Sequence, residues 1–244
     1  MAGFVDLHQH VLWGLDDGPK TPEEMYALLR ADAADGIRVV AATCHVLPGI
    51  RPFDMALYQE RLAQALEYCK EQGLPIQILS GAEIGYTPYV VPALLDRRIP
   101  TIGDTEFVLL EFWKDVDRHT VEQAVCEVFR NGFRPIIAHI ERYKLFHRDV
   151  SFICSLKEEY GALCQVNCDF ILQAGMMDAF FLRRLQRDRI PDLIATDAHG
   201  ASRRPPRLEE TYRLLQSKSG GLLAGLVLLD EGRAGTDWQS MLRL

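Results

Sequence analysis

The sequence predicts a closed α/β barrel of parallel strands, and three observations predict it. Short apolar runs alternate seven times with amphipathic helical stretches. The residues that follow those runs are repeatedly histidines and carboxylates. The glycine fingerprints of a flat, nucleotide-binding sheet are missing: the chain has no GxG and no Walker A loop.

The apolar runs lie at 4–7, 39–43, 76–79, 107–110, 135–138, 163–166 and 193–195. Each is short, β-rich and largely uncharged, as strands buried on both faces are. Helices are expected at 22–35, 53–72, 120–131, 151–160, 178–187 and 208–218. Thr21 is a helix N-cap with Glu24 three residues on, and Gly36 is the stop. Gly73, Gly132 and Gly161 end the next three helices in the same way. Strand–helix alternation of this kind means βαβ units and a parallel sheet. No low-complexity linker or composition break interrupts the 244 residues, so one domain over 1–244 is expected.

Composition narrows the function. The chain is 48% hydrophobic and 25% charged, an ordinary globular balance. A formal net charge of −7 argues against nucleic-acid binding through a basic surface and against anionic membranes. The opening MAGFVDLHQH has no cationic stretch leading into an apolar one, and the 222–229 run is too short to span a bilayer. The expected compartment is therefore the cytoplasm. The six cysteines form no CxxC pair and read as reduced, small core residues. None has arginine six positions later, which excludes the Cys-x5-Arg arrangement of thiolate phosphatases; Cys44 comes nearest, with Arg51 at seven.

The run ends carry the chemistry. In order they present His8-Gln9-His10, His45, Glu83, Glu111, His139, Asn167 and Asp197-Ala198-His199. Six of the seven offer a metal ligand, and five of the seven histidines sit there. A flat sheet would spread these ends along an edge, whereas a barrel brings them to one mouth. Residues i and i+2 of a strand face the same side, so His8 and His10 can reach one ion, and Asp197 and His199 repeat the spacing. Buried carboxylates such as Glu83 and Glu111 are costly unless paired with a cation. Imidazole mixed with carboxylate suits Mn, Fe or Zn hydrolase centres. His119, at a helix start, and His147, in a charged loop, are expected to be solvated.

Charge points to the substrate. Asp17, Glu83, Glu111 and Asp197 supply four negative charges, fewer than the six positive charges of three divalent ions. A positive site of this kind attracts a phosphate dianion. Arg142 follows His139, and Arg203, Arg204 and Arg207 follow His199; guanidinium forks match phosphate oxygens.

The order HxH, DDGPKT, TCH, GAEIGYTP, LLEF, IAHIERY, QVN and ATDAHG…RRPP resembles the polymerase-and-histidinol-phosphatase (PHP) superfamily. Within it, the chain resembles the bacterial manganese-dependent tyrosine phosphatases of capsule and exopolysaccharide operons, from about Phe4 to Tyr212. The resemblance implies a distorted (β/α)7, TIM-like barrel with three divalent ions, manganese first and iron or zinc as alternatives. It implies His8, His10, Glu83 and Asp197 around one ion. Glu83 would bridge to a second ion held with Glu111 and His139. A third would take Asp17, His45 and His199, with Asp16 the alternative to Asp17. Arg142 and Arg204 would bind phosphate, with His199 or a metal assisting the phenolate leaving group. The implied substrate is a phosphotyrosine protein, the tail of a bacterial tyrosine kinase, hydrolysed by a metal-activated water. The competing readings are a phosphatase of a small metabolite such as histidinol phosphate, a nuclease of the same superfamily, and a non-catalytic module. The acidic balance weighs against the nuclease and the filled ligand set against the last. Two departures stand out: Val46-Leu47-Pro48-Gly49 after His45, where relatives often carry a basic or aromatic residue, and the 230–235 segment, where they continue with Asn-Pro.

Overall fold

A computed structural model describes residues 3–218, 226, 228–229 and 238–239. Each apolar run forms a strand: β1 Gly3–Gln9, β2 Ile37–Val46, β3 Gln77–Gly85, β4 Phe107–Glu111, β5 Arg134–Ile137, β6 Leu163–Asn167 and β7 Leu193–Ala195. The helices between them are α1 Pro22–Ala34, α2 Met55–Glu71, α3 Val90–Leu95, α4 Arg118–Arg130, α5 Lys144–Arg148, α6 Val150–Tyr160, α7 Cys168–Gln173, α8 Met176–Arg187 and α9 Leu208–Lys218. Two 3₁₀ turns, Ile102–Asp104 and Ile140–Arg142, complete the connections.

Strands β1 to β7 pair in sequence order and in parallel. The sheet then nearly closes on itself. The end of β1 meets the chain just after β7 through a parallel bridge between Gln9 and Ala198. His10 N donates to Ala198 O at 2.9 Å, and Asp197 N donates to His8 O at 2.8 Å. This is the barrel expected from the sequence, pinned shut where the paired ligands of β1 meet those that follow β7. A short antiparallel strand, β8 (Leu228–Leu229), adds to the other side of β1 and was not expected.

Two apolar cores follow from the strand period. Val5, Leu7, Val39, Ala41, Leu79, Phe107, Leu109, Ile136, Ala138, Leu163 and Leu193 pack together inside the barrel, with Ile102 and Trp238. A larger cluster, including Val40, Ala42, Ile78, Val108, Leu110, Ile137 and Val166, lies between the strands and the helices. Successive side chains of a strand point to opposite faces. Continuing the inward series along each strand therefore reaches His45 on β2, Glu83 on β3, Glu111 on β4, and Gln165 and Asn167 on β6. Apolar residues fill the bottom of the barrel and polar ones line its mouth, the end where such barrels hold their chemistry.

Helix starts differ from expectation where a cap lies outside the apolar pattern. The helix expected from 53 starts at Met55, because Asp54 Oδ1 accepts from Leu57 N at 3.0 Å. The helix expected from 120 starts at Arg118, capped by Asp117. Of the C-terminal features read from the sequence, the 230–235 segment lies outside the described residues.

Candidate metal centre

Three ligands, His8, His10 and His139, break the inward series, and the backbone shows how. On β1 both Leu7 and His8 face the interior; the pairing with β2 slips between Asp6 and Gln9, which turns His8 and His10 into the mouth. Bulges of this kind re-aim side chains beside active sites. On β5 Ala138 already faces inward, and His139 follows with φ 29° and ψ 60°. Asp197 and Arg204 also hold positive φ, 53° and 54°. A non-glycine residue in this region is strained, and such strain concentrates where the fold must aim a functional group. The Asp197/His199 pair is therefore not the strand alternation read from the sequence: β7 ends at Ala195, and a strained loop delivers both side chains.

The deep end of the mouth gathers His8, His10, Glu83 and Asp197, all buried. His8 Nε2 and His10 Nε2 each lie 3.2 Å from Glu83 Oε2, and 3.6 and 3.3 Å from Asp197 Oδ1. Yet His8 Nε2, His10 Nε2 and Glu83 Oε2 make no hydrogen bond among the described residues. Buried polar atoms left in this state are rare and costly. Ligand atoms about 2.0–2.2 Å from a shared ion sit roughly 3.0–3.5 Å from one another, so this spacing fits a divalent cation. Nearer solvent, His45 Nδ1 lies 3.1 Å from Glu83 Oε2 and 3.5 Å from Glu111 Oε2, and His139 Nε2 lies 2.7 Å from Glu83 Oε1 and 3.5 Å from Glu111 Oε1. A third group joins His10, Asp17, His45 and His199, with Asp17 Oδ1 3.5 Å from His45 Nε2 and 3.2 Å from His199 Nε2.

The two adjacent aspartates divide the work. Asp17 faces His45 and His199. Asp16 turns the other way: its Oδ2 lies 2.7 Å from His10 Nδ1 and accepts from His45 N at 2.9 Å, while its Oδ1 accepts from Gly18 N. Partners of this kind set the tautomer of a ligating imidazole. His8 Nδ1 lies 3.1 Å from Gln165 Oε1, and His199 Nδ1 donates to Asp197 O at 2.9 Å. In His8, His10 and His199 the bonded Nδ1 turns Nε2 toward the site.

Electrostatics follow the same geometry. Burial alone would raise the Glu83 carboxyl, but His8, His10 and His139 hold it well below the usual carboxylate range. Asp197 is depressed in the same way by His8, His10 and Arg142. Burial also opposes the charge on Glu111, and His139 and His45 bring it down to about 2. Burial opposes charge on His139 too, but Glu111 and Glu83 raise it to about 9. Burial opposes charge on His10 as well, but Asp16, Asp197 and Glu83 raise it well above its ordinary value. The centre thus holds cations, as protons when nothing else is bound.

Arg142 and Arg204 both reach Asp197 Oδ2, the latter at 2.6 Å, from the connections that follow β5 and β7. Both are about one-third exposed, so donors remain for a ligand at the mouth. Arg142 also lines an open cavity of about 380 Å³ with Asn167 and Phe170. Arg204 Nη1 donates to His199 Nε2 at 2.8 Å; burial first, then His10 and Arg204, lower His199 to about 4. A lowered, neutral imidazole suits a metal ligand. His119 is exposed, as expected. His147 is not solvated: it is half-buried, stacked on Phe181 with centroids 3.9 Å apart, and bonded to Glu141 O.

Sequence reasoning passed over Gln165, Tyr143, Glu141 and Asp6. Gln165 Oε1 also accepts from His139 N at 2.7 Å, and the Tyr143 hydroxyl lies 3.3 Å from His139 Nδ1. Glu141 is buried, accepts from Asn167 N, and has no partner for its Oε2 among the described residues. A glutamine inside a buried strand was the signal available for the first of these.

Comparison with known proteins decides the kinship. The model of the capsular polysaccharide synthesis family CpsB/CapC matches residues 4–234. The chain belongs to the CpsB/CapC family. It is 29% identical to the tyrosine-protein phosphatase CpsB of Streptococcus pneumoniae, over 94% of this chain and 97% of that one. It is 28% identical to the tyrosine-protein phosphatase YwqE of Bacillus subtilis, over 90% of this chain and 87% of that one. A chain from the crystal structures of YwqE and CpsB, metal-dependent tyrosine phosphatases, matches with a TM-score of 0.80 at 28% identity, covering 88% of this chain and 87% of that one. The histidinol phosphate phosphatase of Lactococcus lactis shares the fold, with a TM-score of 0.58 at 16% identity over 90% of this chain and 97% of that one.

Proposed function

We propose that this CpsB/CapC protein is a metal-dependent protein-tyrosine phosphatase. The observation that carries the reading is the convergence of His8 Nε2, His10 Nε2 and Glu83 Oε2, buried and without hydrogen-bond partners among the described residues. Bound divalent ions (three, with manganese first and iron or zinc as alternatives) would polarise the phosphoryl group and acidify a water to a pKa of about 7. His8, His10, Glu83 and Asp197 would hold one ion. Glu83, Glu111 and His139, with His45 turned toward them, would hold the second, and Asp17, His45 and His199 the third.

The remaining groups position the phosphate. Arg142 and Arg204, anchored on the shared Asp197 oxygen, would bind the equatorial oxygens. Their anchor fixes both guanidiniums before substrate arrives, so little ordering remains to be done on binding. The departing tyrosine oxygen has a parent pKa of about 10 and needs only modest assistance. Burial pushes the thiols of Cys44, Cys164 and Cys168 up, away from the reactive thiolate.

The substrate read here is a phosphotyrosine protein, the tail of a bacterial tyrosine kinase of capsule or exopolysaccharide synthesis, met in the cytoplasm. No helix among the described residues is long and apolar enough to cross a membrane. Turnover of a phosphotyrosyl peptide against histidinol phosphate tests the assignment. The expected result is a kcat/KM at least about tenfold higher for the peptide, about 1.4 kcal/mol of discrimination. Preference for histidinol phosphate overturns it.

A further inference from the structure

The connection from β2 to α2 carries the Val46-Leu47-Pro48-Gly49 departure, and it shapes a second concavity on the same rim. Val46 directly follows His45 and points the other way, out of the barrel. Beyond it the chain folds back onto the start of α3. The Thr87 hydroxyl donates to Pro48 O at 2.7 Å. The Tyr89 ring lies so close to Gly49 that an added Cβ would sit 2.2 Å from it, and Gly49 has φ +76°. Glycine is required there on both counts. The connection is thus fixed in place, and between it and α3 lies a cavity of about 610 Å³.

The lining of this cavity is one-sided in charge. Val46, Phe53, Met55 and Ile99 supply apolar walls, and Arg51, Arg97 and Arg98 stand at the rim with no carboxylate among the lining residues. All three arginines are exposed. Arg98 Nε pairs with Asp96 at 3.2 Å; the guanidiniums of Arg51 and Arg97 have no carboxylate partner among the described residues. Three clustered cations are unusual on a chain of net charge −7. Ile50, in the same connection, is 66% exposed. Apolar walls under a cationic rim match a peptide that presents carboxylates together with an apolar or aromatic side chain. His45 and Arg51 are six residues apart, so their Cα atoms are at most about 20 Å apart, a span that an extended peptide covers in about six residues.

We propose that the cavity between the β2–α2 connection and α3 docks an acidic segment of the phosphoprotein substrate, within about six residues of the phosphotyrosine. The proposal rests on the phosphatase reading for its substrate, and it assigns Arg51, Arg97 and Arg98 to substrate choice. The concave apolar walls suit a peptide side chain better than a flat anionic membrane surface.

The test uses the metal-loaded full chain, a triple Arg51→Gln/Arg97→Gln/Arg98→Gln variant and the corresponding triple lysine variant. Three substrates are compared: a phosphotyrosyl peptide flanked by glutamates, one flanked by serines, and p-nitrophenyl phosphate. The wild type is expected to favour the acidic peptide about tenfold in kcat/KM, mostly through KM. The glutamine variant loses that preference with p-nitrophenyl phosphate turnover unchanged, and the lysine variant keeps most of it. Binding of the unphosphorylated acidic peptide, read by fluorescence anisotropy, separates docking from catalysis: it is expected in the wild type and lost in the glutamine variant. Turnover of all three substrates with no acidic preference, or no anisotropy change, overturns the docking site and leaves the phosphatase reading intact. No turnover of any of them overturns the phosphatase reading, while the anisotropy still judges the cavity. Binding to anionic vesicles without binding to the peptide also overturns the proposal.

Discussion

Two groups of buried carboxylates meet around β1, Glu83 of β3 with Asp197 after β7 and Asp6 of β1 with Asp32 of α1, and they behave in opposite ways. At the mouth, Glu83 and Asp197 are ringed by imidazoles and guanidiniums and are held ionised. One layer outward, Asp6 accepts from Thr196 N at 3.0 Å, Thr196 Oγ1 at 2.5 Å, His8 N and Gln9 Nε2, while Gln9 Nε2 also donates to Asp32 Oδ1 at 2.7 Å. The direct donors here are neutral. Burial dominates, pushing Asp6 up to about 6 and Asp32 well above its usual value. The difference teaches how to tell a ligand from a strut. Both groups are equally hidden from water. The mouth carboxylates each turn an oxygen toward the same His8 and His10 nitrogens, whereas Asp6 spends its oxygens mainly on the chain that holds His8 and Asp197 in place.

Substitutions should split the two groups. Glu83→Gln removes the bridging charge; kcat/KM is expected to fall by more than about 100-fold, beyond the 10–100-fold typical of outer partners, with bound metal falling alongside. Retention of full metal content would contradict Glu83 as a ligand. Arg142→Lys keeps the charge but loses the fork, and kcat is expected to drop about 100-fold with metal content unchanged. A loss confined to metal content would move Arg142 out of substrate binding. Asp6→Asn keeps the size of the strut, and activity is expected to stay within about tenfold of wild type. Collapse to the level of Glu83→Gln would erase the distinction between the groups.

Acidity separates them again. Asp6 has a folded value of about 6, above its ordinary 3.8, so the folded protein holds the proton longer. Its contribution to stability is present below pH 4 and is lost as pH rises toward 6, on the order of 3 kcal/mol. Asp6→Asn should flatten that window in denaturant titrations. His139 has a folded value of about 9, above 6.5. Its contribution in the metal-free protein is present below pH 6.5 and is lost as pH rises through 9, again on the order of 3 kcal/mol. Metal replaces those protons, so the loaded protein should lack this loss. Identical pH profiles with and without metal would show that His139 faces no ion.

Much of this was legible in the sequence because ligands fall at run ends, and a run end is visible as a break in apolar residues. The seven parallel strands, the mouth and the grouping of its histidines all follow from that pattern. What stayed hidden was local. The slip that turns both histidines of β1 inward leaves no mark in FVDLHQH, and the strained backbone at His139 and Asp197 falls on residues that carry no glycine signal. Nothing in Asp16-Asp17 says which carboxylate turns to Asp17's neighbours His45 and His199 and which to His10; the fold of the connection decides it. Helices α3 and α7, six residues each, are too short for a helical period to register, and the two-residue β8 is defined only by its pairing with β1. His147 looked solvated because its neighbours in sequence are charged, while Phe181 arrives from another helix.

The central claim is that the convergent histidines and carboxylates hold divalent ions that the phosphatase reaction requires. Its most direct measurement is metal content and phosphotyrosyl-peptide turnover on one sample, before chelation, after it, and after manganese is restored. The account predicts more than one bound ion per chain, loss of at least about 100-fold in turnover on stripping, and recovery on reconstitution. Full activity in a thoroughly stripped protein would contradict it.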